Sequence, residues 1–204
     1  MPSEGGAVPQ PSDYGTERVE GFSDGVMAVI ITIMAFELKT PATASFASLQ
    51  DRLPGLLVYV LSFSLVGIYW NNHHHLFKAT RRINGAVMWA NLHLLFWLSL
   101  IPFLTEWVAS QHTHPLPAAC YGFVNLAAAT AYTILVRAIV RADKPGSVVA
   151  QAIGADLKGK VSLGLFAVAI PLSLLSPWIS YALYVTVAVI WVIPDRRLSR
   201  FPRP

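Results

Sequence analysis

The chain has 204 residues, 54% of them hydrophobic and 13% charged, with a mean hydropathy of +0.52. Soluble domains carry roughly 25% charged residues, so this chain cannot dress a water-facing surface and a soluble globular enzyme is excluded. The net charge of +4 invites a nucleic-acid reading, which the placement of the charges excludes below, and the single cysteine, Cys120, precludes an intramolecular disulfide or a thiolate metal cluster. An all-α integral membrane protein of one domain is expected.

Residues 1–17 are rich in Pro, Gly and Ser and read as a disordered cytoplasmic leader. Six stretches then approach the roughly 20 apolar residues that a membrane helix requires: 19–38, 54–77, 84–108, 117–141, 160–176 and 178–194. They make a membrane domain over 18–195, followed by a short basic tail at 196–204. Pro102 predicts a kink in the third span and Pro171 one in the fifth, while Pro177 suits a tight hairpin between the last two. Residues 142–159 form the longest loop, with room for a short amphipathic helix.

Topology follows from the basic residues. With the N-terminus inside, Arg18, Lys78, Arg81, Arg82, Arg137, Arg141, Lys144, Lys158, Lys160, Arg196, Arg197, Arg200 and Arg203 are cytoplasmic, and only Lys39 and Arg52 lie outside. Basic charge thus records orientation and contact with anionic headgroups rather than nucleic-acid binding. Trp70, Trp107, Trp178 and Trp191 stand near span ends as interfacial anchors, whereas Trp89 and Trp97 lie deeper and read as packing. Cys120 reads as a small apolar filler.

The first span is unusual. It carries Arg18, Glu20, Ser23 and Asp24 where it enters the membrane, and Thr32 near its middle. Charges at that depth favour a bundle interior or a wet path. With about 100° per residue and Gly25 at zero, Val29 falls at about 40°, Thr32 at about −20° and Phe36 at about 20°, with Ile33 at the margin at about 80°. This stripe is either a packing seam, where Gly and Thr let helices approach closely, or the wall of a conduit in which apolar rings are interrupted by one ring of hydroxyls. Periodicity alone favours the seam.

Asp24 is expected to take a donor from the second span, His73 or His74 being the natural candidates, in a cluster that either neutralises buried charge or responds to pH. His73, His74 and His75 diverge by about 100° per residue and cannot close on one metal ion together. A membrane metal- or haem-binding protein, or a coupled transporter, is nevertheless the alternative to a passive channel.

The segment from Arg18 through Phe22, Ser23 and Asp24 reads R-x-x-x-F-S-D and resembles the signature of the transmembrane protein 175 family of potassium channels. The second span ends in Trp70-Asn-Asn-His73-His74-His75-Leu76-Phe77, similar to that family's W-x-x-H-H-x-L-F segment, and the third carries Asn91 and Pro102-Phe103. The resemblance implies a bacterial-type homotetramer in the cell membrane, with both termini cytoplasmic and four copies of the first helix lining a central pore. It implies potassium-preferring conduction without a carbonyl-loop filter, and the chain has no T-V-G-Y-G-like segment. No cofactor is implied beyond the permeant K+ ions, and the partners are further copies of the chain, lipid and monovalent cations. By position, the family's narrow apolar residue corresponds to Val29, its selectivity-linked threonine to Thr32, and further pore positions to Ile33 and Phe36. Val29 is smaller and Phe36 bulkier than the residues usual there, so the tightest ring falls at Val29, Ile33 or Phe36.

Overall fold

The computed structural model describes residues 11–80, 82–143 and 156–192, and all regular structure among them is helical. The helices are α1 (Pro11–Phe36), α2 (Phe46–Gln50), α3 (Leu53–Ala79), α4 (Gly85–Ser99), α5 (Ile101–Ser110), α6 (Pro115–Ala142), α7 (Leu157–Leu172) and α8 (Pro177–Val192).

Their boundaries follow from local chemistry. Ser45 opens α2 by accepting a hydrogen bond from the Ser48 amide at 3.2 Å, and Asn84 opens α4 by accepting from the Val87 amide at 3.0 Å, each satisfying an amide with no intrahelical partner. α3, α5 and α6 each begin with proline in the first turn, where the missing N–H costs nothing. Asp156, in the left-handed region at φ 37°, caps α7 by accepting from the Gly159 amide at 3.1 Å. A Cβ at position 159 would collide with that capping carboxylate.

Among the described residues, four stretches are long and apolar enough to cross a membrane: Gly15–Phe36, Phe46–Ala79, Gly85–Ser110 and Pro115–Ala142. The last two helices are 16 residues each, about 24 Å of helix. The six apolar stretches therefore return as helices in the order read from the sequence, with differences in detail. The third divides into α4 and α5 at Leu100, because Pro102 has no N–H to offer the Leu98 carbonyl. The chain reverses at 173–176 and Pro177 opens α8, so this proline starts a helix instead of forming the hairpin. Pro171 stands one residue from the end of α7 rather than kinking its middle.

The disordered leader expected at 1–17 is corrected over 11–17, which belong to α1. Composition weighs Pro and Gly as loop formers, yet proline is well suited to a first helical turn. Residues 1–10, most of the 142–159 loop and the 196–204 tail lie outside the described residues.

α6 is the central post. It packs on α4 and α5 to one side and on α7 and α8 to the other, while α1 packs on α3, α4 and α5. Met27, Ile30 and Met34 of α1 enter a common core with Val66 and Phe77 of α3, Leu94 and Leu98 of α4, and Ala128 and Leu135 of α6. Small residues on α6 permit a close approach. Gly122 faces the Tyr184 ring of α8, whose hydroxyl donates to the Ala118 carbonyl at 2.9 Å. In an apolar surrounding such bonds leave no buried polar group stranded.

Candidate functional site

α1 has two faces. Ser23, Met27, Ile30 and Met34 are 0–3% exposed and pack inward; on the helical wheel they cluster at about 140–200° from Gly25. The opposite side has no packed neighbour among the described residues. Gly25 and Thr32 are exposed, and Val29, Ile33 and Phe36 are 57%, 43% and 83% exposed. Phe22, at about 60° on the same wheel, is 56% exposed and extends this apolar strip toward the Arg18 end. A packing seam within one subunit is therefore excluded for the stripe, which meets something outside the chain.

Thr32 is the polar interruption. Its hydroxyl donates to the Ala28 carbonyl at 2.8 Å. With the proton committed to its own helix, the oxygen turns lone pairs outward, and what it offers at the surface is an acceptor. No carboxylate shares the stripe, so an ion passing along it meets hydroxyl oxygen and hydrocarbon.

The inward face is fixed by a chain of hydrogen bonds across three helices. Ser23 Oγ donates to its own Val19 carbonyl at 2.8 Å and accepts from Asn91 Nδ2 of α4 at 2.9 Å. Asn91 Oδ1 in turn accepts from His73 Nε2 of α3 at 2.9 Å. All three side chains are buried. His73 also stacks on Phe77 with ring centroids 4.3 Å apart. This linkage sets the rotation of α1 about its own axis, and hence which residues it presents outward.

A second contact lies beside it. His74 Nδ1 donates to Glu20 Oε1 at 2.7 Å, and Trp70 stacks on the His74 ring at 5.9 Å. The expected pairing of Asp24 with His73 or His74 is thus corrected. Glu20 takes His74, Asn91 takes His73, and Asp24 Oδ1 is buried without a hydrogen-bond partner among the described residues. The reason is rotation: Ser23 points at the core while Asp24, about 100° further round, points along the flank. Arg18 is exposed and makes no ion pair with Asp24. Glu20 is the partner that sequence reasoning missed. It precedes Asp24 by one turn on nearly the same face, and that spacing was its one available signal.

Of the three consecutive histidines, His73 is engaged by Asn91 and His74 by Glu20, while on α4 Trp97 Nε1 donates to His93 Nε2 at 2.9 Å. Trp89, expected to pack internally, is 74% exposed, because it lies on the face of α4 opposite the buried Val87, Asn91 and Leu94. At the far end of the molecule Lys39 pairs with Glu106 at 3.4 Å, joining the segment after α1 to α5.

Three comparisons bear on this arrangement. Residues 18–102 match the family model described as endosomal/lysosomal potassium channel TMEM175. A potassium channel of Chryseobacterium sp. (strain P1-3) is 49% identical over 90% of this chain and 95% of its own length. One from Chamaesiphon minutus is 30% identical over 91% of this chain and 98% of its own. Among solved structures, the crystal structure of a lysosomal potassium-selective channel TMEM175 homolog from Chamaesiphon minutus superposes with a TM-score of 0.78 at 28% identity, covering 90% of this chain and 98% of that one.

Proposed function

The chain belongs to the TMEM175 family of ion channels, and from that premise we propose a potassium-permeable, potassium-preferring cation channel built from four copies of this chain. Each subunit turns the Gly25–Val29–Thr32–Phe36 stripe of α1 toward a shared axis, with Ile33 at its margin. Ions flow passively between the four helices, through apolar rings and one ring of Thr32 oxygens. The channel sits in the cell membrane with both termini cytoplasmic, as the distribution of Lys and Arg favours.

The observation that carries this reading is the two-faced α1. Its inward face is anchored to α3 and α4 by buried hydrogen bonds, and its outward face is apolar, unpartnered and broken by a single acceptor-bearing hydroxyl. Narrow apolar rings hold back a fully hydrated ion and gate by dewetting. Potassium sheds water more cheaply than sodium, so a passage that demands partial dehydration favours it. The Thr32 oxygens replace part of the lost shell. Selection then needs no backbone-carbonyl loop, in keeping with the absence of a T-V-G-Y-G-like segment from the sequence. Ser23, His73, His74 and Trp70, with Asn91 and Glu20, hold the pore helix in place, and Arg18, Phe22 and Asp24 complete the signature at its entrance.

Reversal potentials of purified protein in planar bilayers under opposed KCl and NaCl gradients test this. The wild type reverses near the potassium potential. Thr32→Ala moves the reversal toward sodium, and Phe36→Ala raises unitary conductance. Identical potentials and conductances in all three proteins would remove the stripe from the conduction path.

A further inference from the structure

A groove of about 460 Å³ runs between α4 and α6, away from the α1 face. Ala90, Ile134 and Trp89 make its apolar wall, and Arg137, Arg141 and His93 its polar one. Arg137 and Arg141 are four residues apart on α6, so their guanidinium groups rise from one face a turn apart. Both are exposed, and among the described residues neither has an ion-pair or hydrogen-bond partner. Trp97 donates to His93 Nε2, so the neutral His93 ring carries its proton on Nδ1, a further donor in the wall.

The position narrows the occupant. The groove joins the first turns of α4 to the last turns of α6, at the end of the bundle where Lys78 and Arg82 also lie and where Glu20 meets His74. Trp89 marks the headgroup level there. Two unpaired guanidinium groups call for a phosphate, which they bind in bidentate fashion. The trough beside them calls for hydrocarbon. A free anion satisfies the first demand and leaves the trough empty, whereas one molecule with an anionic phosphate and acyl chains satisfies both.

We propose that this groove is a binding site for an anionic phospholipid of the leaflet at the basic end of the bundle, its phosphate between Arg137 and Arg141 and an acyl chain along Ile134, Ala90 and Trp89. The site is independent of the conduction path and stands or falls separately from it.

Fluorescence quenching by brominated lipids tests the assignment on the full-length protein in phosphatidylcholine vesicles. Subtracting the signal of Trp89→Phe isolates Trp89 from the other tryptophans. Brominated phosphatidylglycerol quenches Trp89 at lower mole fractions than brominated phosphatidylcholine, by up to about thirtyfold, since each basic side chain at the surface is worth about fivefold. R137Q/R141Q brings the ratio near one, and R137K/R141K, which keeps the charge, retains most of the preference. Both arginines are exposed, so the substitutions leave the packed core intact. Equal quenching by the two lipids in the wild type, or an unchanged preference in R137Q/R141Q, overturns the proposal. Reversal of the quenching by millimolar inorganic phosphate overturns it in favour of a simple anion site. Lack of quenching by either lipid overturns it in favour of a face covered by a second copy of the chain.

Discussion

Ser23 and Thr32 share one chemistry and meet opposite ends. Each hydroxyl donates to the carbonyl four residues back, at 2.8 Å in both cases. Ser23 faces inward, where Asn91 fills its remaining acceptor position. Thr32 faces outward, where nothing in the subunit does. Asn91 is the pivot of the inner linkage, since it donates to Ser23 and accepts from His73. Asn91→Leu strands both partners in an apolar interior, and the expected loss is about 1–2 kcal/mol, read as an earlier transition when SDS-titrated unfolding is followed by circular dichroism. Ser23→Ala removes both bonds of that hydroxyl but strands only Asn91 Nδ2, and costs less. The Val29–Thr32–Phe36 stripe was legible in the sequence because a helical period alone defines it. The Glu20–His74 contact was not, because the rotation of two separate helices and the reach of one side chain decide it. The sequence set Asp24 opposite His73 or His74, and the fold gives His74 to Glu20 one turn earlier.

At the level of helices, proline was the hardest residue to read. Pro102 marked a break that the structure places at Leu100, but Pro177 fits a hairpin and a first helical turn equally well by local rules. What decides is where the apolar faces of α7 and α8 must meet α6, a tertiary fact. The tightest of those meetings is at Gly122, against the Tyr184 ring. Gly122→Ala forces that ring aside and breaks the Tyr184 bond to the Ala118 carbonyl. The expected cost is about 1–3 kcal/mol, seen as a lower thermal midpoint of the detergent-solubilised protein. Helix propensity would argue for the reverse effect, so a stabilised variant would show that α8 is free to shift.

For the molecule as a whole, the proposed assembly is what gives the outward face of α1 its meaning. Val29 and Ile30 are neighbours in sequence, yet one is 57% exposed and the other 3%. In a Cys120→Ser background, thiol-reactive methanethiosulfonate added to open channels blocks current through Val29→Cys and leaves Ile30→Cys unaffected. Equal sensitivity of the two would place the conduction path elsewhere. The fold itself was largely legible, since the six apolar stretches return as helices in the same order. How far each helix reaches was not, and that has a mechanical consequence at α7. Between its Asp156 cap and Ser173 it has 16 residues, about 24 Å, against a hydrocarbon thickness of about 30 Å. A bilayer beside so short a wall thins locally, at fractions of a kcal/mol per Å of mismatch. Lipids with shorter chains are accordingly expected along the α7 flank.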